Sequence, residues 1–166
     1  MGLLNDLRIQ ESFRGYIKDL NFQNPIAVTL TLKKAVPFRE GKSHGYVRIT
    51  PDRASQNLRH FLNSVNSQCL GKKASRFGHR IPVVSVLEGT KEKRLHYHLM
   101  MDWPKDDTAK DISKTISANW QKTLWGYNQI DVQTNADEGW INYITKVRDK
   151  EDYSSSIDWE NISRSD

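Results

Sequence analysis

The stretch Ile26-Ala-Val-Thr-Leu-Thr-Leu-Lys33 decides the fold class of this chain. In an extended backbone successive side chains point to opposite faces. Ile26, Val28, Leu30 and Leu32 therefore share one face, and Ala27, Thr29, Thr31 and Lys33 share the other. Strict alternation of this kind is the pattern of a half-buried strand with a polar working face.

Working outward, residues 1–24 carry a short apolar pattern (Leu3, Leu4, Leu7, Ile9, Phe13, Tyr16, Ile17, Leu20) that predicts one or two helical turns. Residues 34–50 read as a loop with a short strand at 46–49. Thr50 and Pro51 open a helix, as a cap and a first-turn proline do, and Leu58, Phe61, Leu62, Val65 and Leu70 give it an apolar stripe that ends at Gly71. Residues 71–80 form a basic loop with no acidic residue. Two strands follow, 81–88 and 94–101, joined by a turn over 89–93 that suits a hairpin. A second helix spans 106–125 with Ile112, Ile116, Trp120 and Leu124 on one side, a short strand spans 129–133, and a third helix 137–150 has Trp140, Ile141, Ile144 and Val147 as its buried stripe. Strand, helix, two strands, helix, strand, helix predicts an α+β fold, a single domain with a mainly antiparallel sheet backed by helices.

Composition narrows the function classes. The chain has 166 residues with 25 Lys+Arg against 20 Asp+Glu, enough for one domain with a real core. Residues 1–150 carry a net charge of +9, and the Ser-rich segment 151–166 carries −4. The first is expected to be the folded domain and the second a flexible acidic tail on which Ile157 and Trp159 leave room for docking. A basic body points to a polyanionic partner. Cys69 is the single cysteine, so no internal disulfide framework is possible. There is no apolar run near the ~20 residues of a membrane span, and the N-terminus lacks the layout of a secretory signal, so the expectation is a soluble protein of the cytoplasm.

Leu95-His-Tyr-His-Leu99 carries the chemistry. His96 and His98 leave the same face of a strand, roughly 6–7 Å apart at Cα. If the hairpin pairs symmetrically about Glu92, Glu88 falls opposite His96 on that face. A carboxylate and two imidazoles make a sensible shell for a divalent metal with positions left open. Incidental histidines on a half-exposed strand would give the same short motif. Tyr143 and Lys146, at i and i+3, stand one above the other on a helix, Tyr143 bordering the apolar stripe and Lys146 facing further towards solvent. They read either as a boundary tyrosine beside a surface lysine or as a phenolic nucleophile with a neighbouring cation. Trp120, Trp125 and Trp140 read as core or helix packing.

Taken in order, Ile26–Lys33, Glu88 with His96-Tyr-His98, and Tyr143-Ile-Thr-Lys146 resemble the HUH endonucleases, specifically the rolling-circle replication initiators (Rep proteins) of small replicons such as plasmids or phages. The resemblance spans about residues 25–147. It implies an antiparallel sheet of RRM/ferredoxin-like topology with flanking helices. It further implies His96 and His98 as metal ligands with Glu88 as the third, Mn²⁺ or Mg²⁺ as the cofactor, Tyr143 as the nucleophile and Lys146 as its catalytic partner. The activity implied is nicking and joining of single-stranded DNA at an origin or hairpin through a 5′-phosphotyrosine, in a prokaryotic host whose polymerase and helicase complete replication. Relaxases place the tyrosine ahead of the histidines, the reverse of this order. Single-strand transposases of the IS200/IS605 type share the order but usually have glutamine after the tyrosine, which ranks them second. A non-catalytic RRM-like nucleic-acid-binding module is the other alternative. For DNA contacts, Lys72, Lys73, Arg76 and Arg80 are candidates for phosphates, with Phe77 available to stack. Thr29, Thr31 and Lys33 are candidates for lining the DNA path, and Lys34, Arg39, Lys42 and Arg48 extend the same surface.

Overall fold

A computed structural model describes residues 2–90, 92–105, 111–148 and 150–164. The alternating stretch is strand β1 (Pro25–Leu32). It lies inside a four-stranded antiparallel sheet with β4 (Val83–Glu88), β5 (His96–Asp102) and β6 (Gly126–Thr134), in the order β4-β5-β1-β6. The helix α2 (Pro51–Leu70) joins β1 to β4, and α4 (Ile112–Gln121) joins β5 to β6. This βαββαβ path with the first strand central is the ferredoxin-like arrangement.

The two sheet faces differ as the alternation requires. Ile26, Val28, Leu30 and Leu32 share a core with Tyr97, Leu99, the α2 residues Leu58, Phe61 and Val65, and the α4 residues Ile116 and Trp120. On the opposite face Val84, Val86 and Met100 pack with Phe13, Ile17, Ile141 and Ile144. Those last four come from α1 (Leu3–Asp19) and α5 (Glu138–Ile144). Thr50 accepts a hydrogen bond from Arg53 N at the start of α2, and Gly71, at φ +54°, ends it.

Several elements differ from expectation, each for a tertiary reason. The N-terminal segment makes a helix of 17 residues, not one or two turns, because Ile9, Phe13, Tyr16, Ile17 and Leu20 form a stripe that the second core accepts. The short strand expected at 46–49 is the end of a longer one, and the rest of 34–50 is no loop: β2 (Ala35–Glu40) and β3 (Ser43–Arg48) pair as a hairpin whose Val36 and Val47 pack on the α2 core. The basic loop is a short helix over Lys72–Phe77, α3, ended by Gly78 in the left-handed conformation. The first five residues of the expected 106–125 helix, and Lys91 in the 89–93 turn, lie outside the described residues. The chain leaves α4 at Gln121, so Leu124, expected on the buried side of the helix, is exposed, while Trp125 is buried as its reading as packing requires. The third helix is cut to Glu138–Ile144, which leaves Lys146 beyond its end.

The acidic segment expected as a flexible tail is packed on the domain. It forms a helical turn, α6 (Tyr153–Ser156), and a 3-10 turn at Trp159–Asn161. Tyr153 and Ile157 are buried, and Ile157 and Ser163 bridge to Val86 and Val83 along the free edge of β4. An edge strand with open backbone groups and two apolar side chains to bury outweigh the segment's polar composition.

Candidate active site

Glu88 and His96 are cross-strand partners, as are His98 and Val86, so Glu88, His96 and His98 leave one face of the β4–β5 hairpin. The register rests on a turn opened by Gly89 at φ +129°, where a Cβ would come within 2.9 Å of the Leu95 Cα; only glycine fits there. One ligand atom from each of Glu88, His96 and His98 lies within 4.8 Å of the others. His96 Nδ1 is 3.0 Å from the Arg94 carbonyl, an acceptor, so this nitrogen donates and Nε2 is the atom left to face the cluster. His98 Nδ1 lies 3.1 Å from Thr29 Oγ1 on the neighbouring strand. His98 Nε2 is buried without a hydrogen-bond partner, 3.4 Å from Glu88 Oε2. Burial, then His96 and the Lys146 and Lys150 ammoniums, push the His98 pKa down to about 3, so the ring is neutral. Two imidazoles whose Nδ1 atoms are held by neighbours, beside a carboxylate, fit a divalent cation.

The C-terminal end of α5 delivers the remaining groups. Asp137 caps the helix by accepting from Trp140 N. Its other end is pinned at buried Thr145, whose carbonyl accepts from Gln10 Nε2 and Tyr153 Oη and whose hydroxyl oxygen accepts from Arg14 Nε at 2.7 Å. The chain therefore turns at Thr145, and Lys146 swings inward, correcting its expected solvent-facing position. Its ammonium lies 3.0 Å from Glu88 Oε1 and 3.8 Å from the centroid of the Tyr143 ring. The Tyr143 ring is 49% exposed, stacked on Trp140 at 5.5 Å and edge-on to His98 at 5.2 Å. Beside it a shallow depression of about 320 Å³ is lined by Trp140, Asn135, Asp137, Gln133 and Ala27.

The structure thus brings together Glu88, His96, His98, Tyr143 and Lys146. Thr29 joins them as a partner of His98, and Thr31, opposite His96 in the sheet, donates to the Gln129 carbonyl. Lys33 follows two residues later and reaches the Leu124 carbonyl. Lys72, Lys73 and Arg76 do not join the cluster. They lie on α3, which packs on α2, and Arg80 binds Asn63. They precede β4, whose five intervening steps to Glu88 span roughly 16 Å.

Two site residues went unread. Trp140, whose spacing reads as packing, donates through Nε1 to the Leu99 carbonyl and stacks on Tyr143; its place three residues before Tyr143 is the available signal. Lys150, its side chain 1% exposed, sits 3.8 Å from Glu88 Oε2 and donates to the carbonyls of Ile144 and Lys146. Nothing in its sequence position marks it. Glu88 is thus a buried carboxylate facing two ammoniums.

The family model for Replication-associated protein ORF2/G2P matches residues 25–152, about three quarters of the chain and the whole of this cluster, so the chain belongs to that family. No curated protein and no solved structure matches the chain. Membership of that family points to a rolling-circle replication initiator acting on origin DNA. No helix among the described residues is long and apolar enough to cross a membrane.

Proposed function

We propose, with that family membership as the premise, that this chain is an HUH-type initiator that nicks and rejoins single-stranded DNA at an origin through Tyr143. One observation carries the reading: a single lysine, Lys146, bridges the Glu88–His96–His98 cluster and the exposed phenol of Tyr143, at 3.0 Å from the one and 3.8 Å from the other's ring.

The phenolic oxygen of Tyr143 attacks phosphorus and the P–O3′ bond breaks. The phenolic proton passes to solvent, and the departing 3′ oxygen takes one up. The products are a 5′-phosphotyrosine and a free 3′-OH that a host polymerase extends. Attack by a 3′-OH on the phosphotyrosine reverses the step and rejoins ends without ATP, because the phosphodiester bond is exchanged and not hydrolysed. Glu88, His96 and His98 would hold the divalent cation, which when bound withdraws charge from a non-bridging phosphate oxygen. A donor set with two imidazoles suits Mn²⁺ better than Mg²⁺. The Lys146 ammonium offsets charge that develops on the attacked phosphate. Thr29 holds the His98 ring in place. Thr31 and Lys33 line the strand's path beside the cluster, while Lys72, Lys73, Arg76 and Arg80 would meet only phosphates well away from the scissile one. A binding module of RRM type would present aromatics on its open sheet face, whereas Tyr97 is buried beneath the helices.

The test is covalent capture. A labelled pool of single-stranded oligonucleotides containing hairpins, incubated with the chain and Mn²⁺, is expected to give an SDS-resistant adduct. Tyr143→Phe should lower its yield by at least about a thousandfold, since the nucleophile is lost outright, and EDTA should abolish it. A wild-type chain that forms no adduct with any such oligonucleotide, or a Tyr143→Phe chain that forms as much, refutes the reading.

A further inference from the structure

The β2–β3 hairpin, which carries Arg39 and Arg48 of the expected DNA surface, has no part in the cleavage step, yet it rises from the same end of the sheet. Thr31 pairs with His96, Leu32 N donates to the Leu95 carbonyl, and the hairpin begins three residues later at Ala35. Its base is closed by Ile49 N donating to the Lys34 carbonyl. Gly41, at φ +59°, opens the two-residue turn between Glu40 and Ser43.

Cross-strand pairing divides its side chains. Val36, Val47, Phe38 and Gly45 share one face; Val36 and Val47 meet the core, and Phe38 lies across Gly45, where a Cβ would come within 3.1 Å of the ring. The other face carries the pairs Ala35–Arg48, Pro37–Tyr46 and Arg39–His44. Arg39, His44, Tyr46 and Arg48 are all exposed, Tyr46 at 76%. Between residues 33 and 48 the chain holds five Lys+Arg and a single acid, Glu40. A large aromatic ring held in water by a strand pair that points away from the core contributes nothing to packing. Cations flanking such a ring are the makeup of surfaces on which bases stack and phosphates are tracked.

We propose that this outer hairpin face is a docking platform for single-stranded DNA, Tyr46 stacking on a base while Arg39, Arg48 and His44 follow the backbone on either side. The proposal rests on the reading that single-stranded DNA is the substrate, and it names the surface that holds the strand outside the chemical centre. The platform is anchored through the opposite face, so its residues can be changed without disturbing Val36 and Val47.

Binding of a fluorescein-labelled 20-nucleotide oligothymidine to the full chain, followed by anisotropy in EDTA so that no cleavage intervenes, tests this. Tyr46→Ala should weaken binding about tenfold, within the range for loss of one base–aromatic stack. Tyr46→Trp should restore it, which a folding defect would not permit. Arg39→Gln with Arg48→Gln should lower the slope of log affinity against log salt by about 1.4, since each single-strand phosphate contact contributes roughly 0.7. Wild-type affinity and slope in these variants, failure of Tyr46→Trp to restore binding, or an equal loss of affinity for a blunt duplex would each overturn the platform; the first of these would leave the face to an acidic protein partner. Adduct formation by the wild-type chain is measured apart, so a failed platform and a failed nicking reaction are distinguishable.

Discussion

Tyr97 and His98 are neighbours in one strand, and the sheet sends them to opposite environments. Tyr97 lies wholly buried beneath α2, its hydroxyl donating to Asp158 Oδ2 at 2.8 Å, and Asp158 also accepts from Ser55 and Asn161. Burial and the Asp158 carboxylate raise the Tyr97 pKa far above the ordinary phenol range. His98 is just as deeply placed, but its Nε2 has no hydrogen-bond partner, and the Glu88 carboxylate beside it faces two ammoniums. A buried polar atom left unbonded costs about 1–3 kcal/mol. One face of the sheet therefore closes its polar groups among themselves, while the other holds donor atoms ready for something from outside. The lesson is that burial alone does not separate structure from function in this strand; hydrogen-bond satisfaction does.

The comparison can be broken experimentally. The largest contrast should come from His96→Ala against Tyr97→Phe, each assayed for Mn²⁺ binding by calorimetry and for stability by urea unfolding. Loss of a ligand from the open face should weaken Mn²⁺ by at least about a hundredfold, beyond what loss of a supporting partner does. Tyr97→Phe should leave Mn²⁺ affinity unchanged and cost about 1–3 kcal/mol of stability, the price of depriving Asp158 of a donor. If the two variants exchange these behaviours, the assignment of faces is wrong.

A finer distinction comes from pH. Because the folded-state pKa of His98 is depressed to about 3 while an unfolded histidine titrates near 6.5, the unfolded chain binds more protons between these values. The stability contributed by neutral His98 is complete above about pH 6.5 and falls as pH drops towards 3. Urea unfolding of the metal-free chain across that window should show a slope that flattens in His98→Gln; an unchanged slope would mean that the ring is not buried and neutral. The smallest effect concerns Lys146→Met. Removing an ammonium from Glu88 should tighten Mn²⁺ binding severalfold in the absence of DNA, since the cation no longer competes for the carboxylate. Weaker binding would show that Lys146 orders the site and does not oppose the metal.

The parts of this molecule that were legible in sequence are those where neighbours along the chain decide the outcome. The two faces of Ile26–Lys33 follow from period-two alternation, and the pairing of Glu88 with His96 follows from a symmetric turn begun by a glycine. The start of α2 at Thr50-Pro51 is likewise a local matter of one hydroxyl and one fixed φ. Of the β2–β3 hairpin only the second strand shows in sequence, as the short strand at 46–49, because β2 holds few apolar residues and alternates weakly. The C-terminal segment, where Ile157 and Trp159 leave room for docking, packs more fully than its Ser and Asp composition predicts, because the bridges of Ile157 and Ser163 to the β4 edge are contacts that no local window shows. Leu124 is exposed where the helical pattern put it on the buried side, because the helix ends at Gln121; Trp125 is buried as its reading as packing requires.

By itself the sequence determined which residue types could do chemistry and, through alternation, which of them share a face. Only the tertiary structure decided that Lys146 meets Glu88, 58 residues away in the chain, that Lys150 enters the same pocket, and that Trp140 lies beneath Tyr143. The physical reason is that these meetings depend on where a helix stops. That is set at Thr145 by Gln10, Arg14 and Tyr153, side chains from the two ends of the molecule that no local pattern connects.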